Sequence, residues 1–359
     1  MTEKIRFYEI DGLRFIAAAM VVFYHYTFRG FAADDLNVLS FPVIGEIARY
    51  GYLGVDLFFI ISGFVILMTA RQGDPIRFVI SRMVRIYPAF WVCLTITAAT
   101  MAVYNTYPFD ISFSQWLINL PLIGSFIGVP YVDSVYWSLL VELKFYFLMY
   151  LILVCRGIAK IDWFLGVWLL ISLVATFSEV WGAIHFFFFP EWSHYFIAGA
   201  MFYLIRVEGL NSFRSGVILC CFGLSVFQTT STIAIAEAHY HTEFSQSFII
   251  SCILLFYLIF LAIALGKTVW IQSPHLTLVG ALTYPLYLVH QNVGFIFFNV
   301  LAGELNKYLL LTCGLILVVF LSYLVNHFVE QRFSKVFKGW LEMLAATIMK
   351  PVVSIRSRG

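Results

Sequence analysis

The sequence predicts an all-α integral membrane protein, a bundle of about ten transmembrane helices with both termini in the cytoplasm. Three observations predict this class: 62% of the 359 residues are hydrophobic, only 12% are charged, and the loop cations divide unequally between two sides. A soluble core cannot bury so much apolar surface. A bilayer accepts it as helices of about 20 apolar residues, whose backbone polar groups are satisfied internally.

Ten apolar segments give the predicted helices. In chain order they are 10–28, 51–70, 86–104, 134–154, 163–177, 195–205, 216–228, 247–265, 276–299 and 308–328. The sixth and seventh are shorter than a span usually requires, so one re-entrant segment is also compatible with the pattern. The first apolar run lies between Arg14 and His25 and carries its small residues in the middle, which favours a retained helix over a cleaved signal peptide.

The loop charges predict the orientation of the bundle. With Arg14 and Lys144 left out as residues of predicted spans, seventeen cations fall on one side and three on the other. The seventeen are Lys4, Arg6, Arg71, Arg77, Arg82, Arg85, Arg156, Lys160, Arg206, Arg214, Lys267, Arg332, Lys335, Lys338, Lys350, Arg356 and Arg358, and the three are Arg29, Arg49 and Lys307. Because cytoplasmic loops carry the excess of positive charge, an N-in and C-in topology is predicted.

Charge and cysteine content exclude several classes of function. The net charge is only +2 and no long basic run is present, so we expect no nucleic-acid partner. The six cysteines lie in or beside apolar segments without the spacing of metal ligands. They are interpreted as small buried side chains, and no metal site is predicted.

Ionisable residues inside the predicted spans are the strongest indication of function. Arg14 and His25 share one face of the first helix, about 16 Å apart along its axis. Asp56 and Glu142 place carboxylates at membrane depth in the second and fourth spans. Charges held within lipid are costly and usually mark a functional interior. The alternatives are a snorkelling arginine, a packed core histidine and, for Glu142, a local ion pair with Lys144.

A second indication is a pair of arginines before the third span. Arg82 and Arg85 are three residues apart, so their guanidinium groups converge on one helix face. Such a pair suits a bidentate grip on phosphate, although an ordinary topogenic cluster fits equally well. For His290 and Glu330, in the last two spans or at their ends, a packed or interfacial polar group is the favoured interpretation.

Five motifs in this order resemble the acyltransferase-3 family of integral membrane acyltransferases, of the carbohydrate O-acetyltransferase type. They are Asp11-Gly12-Leu13-Arg14-Phe15 with His25 after ten intervening residues, the stretch from Gly54-Val55-Asp56 to Ser62-Gly63-Phe64, Arg82-x-x-Arg85, Trp137-Ser138-Leu139 with Glu142, and Tyr287 to His290. The resemblance implies an acyltransferase-3-like transmembrane domain over 1–330, followed by a cytoplasmic tail over 331–359. It also implies a location in the bacterial cytoplasmic (inner) membrane.

The resemblance implies transfer of an acyl group, usually acetyl from acetyl-CoA, to a hydroxyl of a cell-surface or periplasmic glycan. Acetyl-CoA is then a co-substrate, and no permanently bound cofactor is expected. His25 is predicted as general base, with Glu142 or Asp56 orienting its ring; a covalent acyl-histidine remains an alternative. The predicted acyl-CoA ligands are Arg14, Arg82 and Arg85, and the secondary site candidates are Ser62, Trp137, Ser138, Tyr287, His290 and Glu330.

Two other classes of protein fit parts of this pattern. A secondary transporter also places ionisable residues at midplane depth, but usually has inverted repeats, and none is visible. A structural subunit leaves the ordered ionisable set without a role. The chain is expected to act alone or with a separate periplasmic acyl-transfer partner. Acceptor specificity is predicted in the segments 107–131, 186–194 and 237–243, because loops vary more than helices.

Overall fold

The computed structural model describes residues 7–32, 35–178, 182–271 and 273–356, with side chains described as far as Thr347. Lys4, Arg6 and Arg358, which entered the count of loop cations, lie outside these ranges. Within them the regular structure is helical, with no β-strand. The predicted all-α class is therefore confirmed.

Eleven long helices form the described chain. They are α1 (Tyr8–Tyr24), α2 (Leu53–Ala70), α3 (Pro75–Tyr104), α4 (Trp137–Val154), α5 (Ile161–Phe177), α6 (Pro190–Glu208), α7 (Ser212–Ser231), α8 (Gln246–Ala264), α9 (Pro274–Leu301), α10 (Lys307–Val325) and α11 (Ser334–Arg356). Two π-helices, His25–Arg29 and Asn326–Phe333, follow α1 and α10 directly. Short α-helices lie at Gly30–Ala32, Pro42–Ala48, Phe113–Asn119, Ala183–Phe188 and Ile233–Tyr240, and 3₁₀ turns at Arg49–Tyr52, Gly124–Ile127, Ser134–Tyr136 and Gly157–Lys160.

Eight helical stretches of the described chain are long and apolar enough to cross a membrane. They contain α1 to α5, α7, α8 and α10. The other two predicted spans correspond to α6 and α9, which fall outside this set. Most of α6 from Ser193 to Ile205 is buried among other helices, so it needs little lipid-facing apolar surface and tolerates more polar residues. A multi-pass bundle is thus established, while ten spans and the N-in orientation stay predictions.

Helix ends follow the capping residues of the sequence. Asp74 accepts hydrogen bonds from the backbone N–H groups of Ile76 and Arg77, and Pro75 occupies the first turn of α3. Asn211 caps α7 in the same way through the N–H of Arg214. These side chains satisfy donors that have no partner within a helix, which fixes where each helix starts.

The crossing of α1 and α9 brings the chemistry-bearing residues together. Gly280 of α9 lies against Asp11, and a Cβ at Gly280 would approach the Asp11 Cβ to 2.7 Å. Four turns later, the ring and hydroxyl of Tyr26 occupy the space beside Gly294. Because both glycines lack a side chain, the two helices pack closely along their length.

Candidate active site

Two cavities penetrate the bundle from its opposite ends. The proximal cavity lies toward the start of α1 and has a volume of about 110 Å³. Its polar lining includes Arg14, Ser62, Arg82, Arg85, Ser138, Glu142, Tyr284 and Tyr287. The distal cavity lies toward the end of α1 and has a volume of about 490 Å³. It is lined by, among others, Tyr24, His25, Arg29, Asp56, Trp137, Trp192, Tyr195, Tyr240, Tyr287 and Gln291.

The predicted site residues divide between these two cavities. All three predicted acyl-CoA ligands line the proximal cavity together with Glu142, whereas His25 and Asp56 line the distal one. Two residues, Val55 and Tyr287, line both. The wall between the cavities is therefore one or two side chains thick at this point.

The arginines of the proximal cavity differ in their partners. Arg85 pairs with Glu330 at 2.8 Å, and Asn326 donates a hydrogen bond of 2.6 Å to the other oxygen of that carboxylate. Arg82 donates to Ser81 and lies over the ring of Tyr146, and no described carboxylate pairs with it. Arg82 therefore offers a guanidinium group whose charge is not neutralised by an ion pair.

Arg14 and Glu142 face the proximal cavity from two sides. Arg14 pairs with Asp11 at 3.0 Å within α1. Glu142 accepts a 2.5 Å hydrogen bond from the hydroxyl of Ser62, which ties α4 to α2. Both ionisable groups are thus held by neighbours inside the bundle, as residues at membrane depth require.

His25 and His290 form a hydrogen-bonded pair. The Nδ1 atom of His25 lies 2.8 Å from the carbonyl oxygen of Val21 and 3.1 Å from Nε2 of His290. The Nδ1 atom of His290 lies 2.9 Å from the carbonyl of Tyr287. Because a carbonyl oxygen only accepts, each Nδ1 carries the proton, and Nε2 of His290 accepts from His25. In this tautomer Nε2 of His25 keeps its lone pair.

Neither carboxylate predicted to orient His25 contacts its ring. Asp56 accepts a 3.2 Å hydrogen bond from Tyr195, and Glu142 lies in the other cavity. The orienting hydrogen bonds of His25 instead go to Val21 and His290. For Glu142 the physical reason is the length of α1, because Glu142 shares a cavity with Arg14 and His25 lies three turns beyond Arg14. Asp56 lines the same cavity as His25, but its carboxylate is paired with Tyr195.

The π-helix after α1 holds this arrangement in place. It begins at His25, where the extra residue per turn shifts the side chains that follow. The hydroxyl of Tyr26 donates to the carbonyl of His290 at 2.7 Å. Arg29, one turn further, donates to the side-chain oxygen of Gln291 at 3.0 Å. Three residues of the π-helix, His25, Tyr26 and Arg29, thus pair with the segment of α9 that carries His290.

Sequence reasoning missed Arg29, Gln291 and Val55. The first two had a signal, because Arg29 lies one turn after His25 and Gln291 directly follows His290. Val55 had none, since valine is common in apolar spans.

Of the segments predicted to set acceptor specificity, 186–194 and 237–243 contribute Trp192 and Tyr240 to the distal cavity, and 107–131 contributes no residue to either cavity. No three described His, Cys, Asp or Glu side chains are arranged to hold a metal ion.

Comparison with known proteins identifies the family. The acyltransferase-3 family model, described as an acyltransferase domain, matches residues 7–327. A putative membrane-bound transacylase, BcsY of Komagataeibacter xylinus, is 28% identical over 165 residues, which cover 41% of this chain and 37% of the relative. The match therefore spans little more than a third of that relative. No solved structure matches the chain. Since the family model covers nearly all of the bundle, this chain belongs to the acyltransferase-3 family of membrane acyl-transfer proteins.

Proposed function

We propose that this protein transfers an acyl group, acetyl from acetyl-CoA in the simplest case, to a hydroxyl of a cell-surface or periplasmic carbohydrate. The observation that carries the proposal is the pair of cavities, which enter from opposite ends and share Val55 and Tyr287. A donor and an acceptor that enter from different sides of a membrane would meet at this wall.

The proximal cavity suits the donor. Acyl-CoA carries phosphates at one end and a thioester at the other, linked by a neutral arm. Arg82 and Arg85 supply charged donors for phosphate, and Arg14 lies deeper along the same cavity. The apolar side chains of Phe58 and Leu139 then line a path for the arm toward Tyr287. The positive-inside prediction orients this cavity to the cytoplasm, where acyl-CoA is made.

The distal cavity suits a carbohydrate. Rings of Trp137 and Trp192, whose centroids are 4.9 Å apart, offer faces for the C–H surfaces of a sugar. Arg29, Asp56 and Gln291 offer donors and acceptors for hydroxyl groups. A mixed aromatic and polar lining of this kind binds neutral polar ligands rather than an acyl chain alone.

The chemistry follows from the tautomer of His25. Its Nε2 removes the proton of the acceptor hydroxyl while that oxygen attacks the thioester carbonyl carbon. The C–S bond then breaks, the coenzyme A thiolate leaves, and the imidazolium of His25 returns the proton to sulfur. Throughout the reaction, Nε2 of His290 accepts a hydrogen bond from the Nδ1–H group of His25, which keeps the His25 ring in one orientation. An acyl-His25 intermediate, formed by attack of the same Nε2 on the thioester, is the alternative route.

The test is acetyl-CoA turnover by detergent-purified protein with oligosaccharide from the cell envelope as acceptor. We expect acceptor-dependent release of free coenzyme A that falls about 10²- to 10⁴-fold in His25→Ala. Arg82→Ala and Arg85→Ala should mainly raise the KM for acetyl-CoA, and Lys160→Ala, an exposed loop cation, should change neither constant.

Two results would contradict the proposal. A turnover rate in His25→Ala equal to that of wild type would contradict the role of His25 as general base. Failure of the wild-type protein to bind acyl-CoA at all would favour the transporter class instead.

A further inference from the structure

A third cavity lies beside the proximal one, between the start of α3 and the C-terminal helix α11. Thr69, Gln72 and Ser81 give it hydrogen-bonding groups, and Phe7 and Tyr203 give it an aromatic wall. Three cations reach it: Arg77 and Arg82 from α3, and Lys338 from α11. We call this cavity the α3–α11 groove.

The charges in the α3–α11 groove are available to an anion. Arg77 pairs with Asp74 at 3.3 Å and Lys338 with Glu342 at 3.6 Å, both at exposed positions. Exposed ion pairs contribute little free energy, so a ligand phosphate can replace either carboxylate. Arg82 has no carboxylate partner among the described residues. The groove therefore has one guanidinium group without a carboxylate partner and two cations whose lining carboxylates, Asp74 and Glu342, a ligand phosphate can replace.

The α3–α11 groove adjoins the proximal cavity. Arg82 lines both, so a ligand that contacts Arg82 in the groove lies next to the cavity that contains Glu142. Along α3, Arg77 lies about 7.5 Å before Arg82, and Arg85 about 4.5 Å after it. The three cations thus lie at successive levels of α3, Arg77 in the groove, Arg82 in both spaces and Arg85 in the proximal cavity.

α11 is packed against the bundle rather than projecting from it. The ring of Phe337 lies 5.5 Å from that of Trp91 of α3. The π-helix that precedes α11 carries Glu330, which pairs with Arg85. These contacts hold α11 against the bundle, and Lys338 lines the groove together with Arg77 and Arg82. It also lies beyond residue 327, where the family match ends.

We propose that α11 completes a binding site for the 3′-phosphorylated ADP portion of coenzyme A. In this site Lys338 and Arg77 hold the 3′-phosphate, and Arg82 holds the diphosphate at the entrance of the proximal cavity. The order follows from geometry, because the diphosphate bears the arm that must enter the cavity and Arg82 is the cation common to both spaces. The inference rests on the proposed use of acyl-CoA as donor.

The test compares acetyl-CoA with 3′-dephospho-acetyl-CoA on the full, detergent-purified chain. For wild type, the KM for acetyl-CoA should be about tenfold or more below that for the dephospho analogue, because the analogue lacks a charge-assisted contact to the 3′-phosphate. Lys338→Ala should raise the KM for acetyl-CoA about tenfold, leave that for the dephospho analogue unchanged, and keep kcat. Lys338→Arg should restore the preference. Lys335→Ala, an exposed cation of the same helix outside the groove, is the matched control.

Equal increases of both KM values in Lys338→Ala, or no change in either, would overturn the inference while leaving the proposed function intact. Wild type that does not use acetyl-CoA at all would instead overturn the proposed function.

A lipid headgroup also carries a phosphate that could bind in the groove. A competition experiment distinguishes the nucleotide from the lipid. Adenosine 3′,5′-bisphosphate should inhibit wild type and lose about tenfold in potency against Lys338→Ala. Inhibition by phosphatidylglycerol in mixed micelles, with no inhibition by the nucleotide, would assign the α3–α11 groove to lipid and overturn the inference.

Discussion

At the scale of single residues, the account depends on a histidine that is held by another histidine. The Nδ1 proton of His25 is shared between the Val21 carbonyl and Nε2 of His290, which directs the free lone pair of His25 away from α9. A carboxylate partner would draw the Nδ1 proton more strongly and make Nε2 more basic. The neutral pair makes orientation, rather than charge, the contribution of His290.

This arrangement predicts the effect of removing His290. His290→Ala should lower kcat by about tenfold to a hundredfold, because the ring of His25 loses the contact that fixes its direction. The KM for acyl-CoA should change little, since His290 lines neither cavity. His275→Ala, at an exposed position near the start of α9, is the control. A kcat equal to that of wild type would show that Val21 alone orients His25.

At this scale the sequence identifies the charged residues of the site, but it does not identify the side chains with which they pair. Arg14, Arg82 and Arg85 were predicted to share one ligand, and they line one cavity. An arginine in an apolar span or in a paired motif is conspicuous because its desolvation is costly. The partner of His25 was assigned to Asp56 or Glu142, because spacing within single helices does not reveal which residues of different helices meet.

At the scale of elements, the two π-helices position His25 and the carboxylate that pairs with Arg85. The first begins at His25, and the second carries Glu330, which pairs with Arg85. The second is also linked to α9: Pro285 has no N–H, which leaves the carbonyl of Ala281 free, and Asn326 donates to it at 3.4 Å. A π-helical turn adds one residue without altering hydropathy, so the sequence pattern predicted the spans but not these turns.

The fit of Tyr26 beside Gly294 gives a prediction for the first π-helix. Gly294→Ala should lower both Tm and kcat, because the new methyl group occupies the space of the Tyr26 ring and hydroxyl and must displace the turn that holds His25. Gly223→Ala, in α7 with open space around it, should leave both unchanged or raise Tm slightly.

A double-mutant cycle identifies the cause of that effect. If the clash with Tyr26 is responsible, Tyr26→Ala combined with Gly294→Ala should cost less in Tm than the sum of the two single changes. Strict additivity would contradict this explanation.

At the scale of the whole molecule, two glycines allow α2 and α6 to pack closely. α2 and α6 share the most extensive contact in the bundle, and Gly63 and Gly199 face each other across it. A Cβ at either position would collide with a backbone carbonyl of the other helix, of Phe196 or Ile60. Close approach of backbones through small residues is how membrane helices associate without a hydrophobic driving force.

Gly63→Ala and Gly199→Ala should therefore each destabilise the protein, by about 1–3 kcal/mol, because the helices must separate. The measurement is thermal unfolding of the detergent-solubilised protein, with Gly216→Ala, which has open space around it, as control. An unchanged Tm in both variants would mean that the crossing accommodates a methyl group and is looser than its geometry indicates.

The division into two cavities could not be predicted from the sequence. Arg14 and His25 share a helix face, and that pattern alone does not reveal a wall between them. Three helical turns separate them, and the side chains of Val55 and Tyr287 lie between the two spaces. Apolar periodicity locates the helices well, but the wall between the cavities is formed where residues of two different helices, α2 and α9, meet.

The central claim is that donor and acceptor reach the wall between the cavities from opposite sides, and sidedness in proteoliposomes tests it most directly. Labelled acetyl-CoA is added outside only, so that protein molecules with the proximal cavity inward receive no donor. Envelope oligosaccharide is either sealed in the lumen or added outside. The account predicts labelling of the sealed oligosaccharide, none of the external one, and none of either with His25→Ala. Labelling of the oligosaccharide only when it is outside, together with the donor, would contradict it.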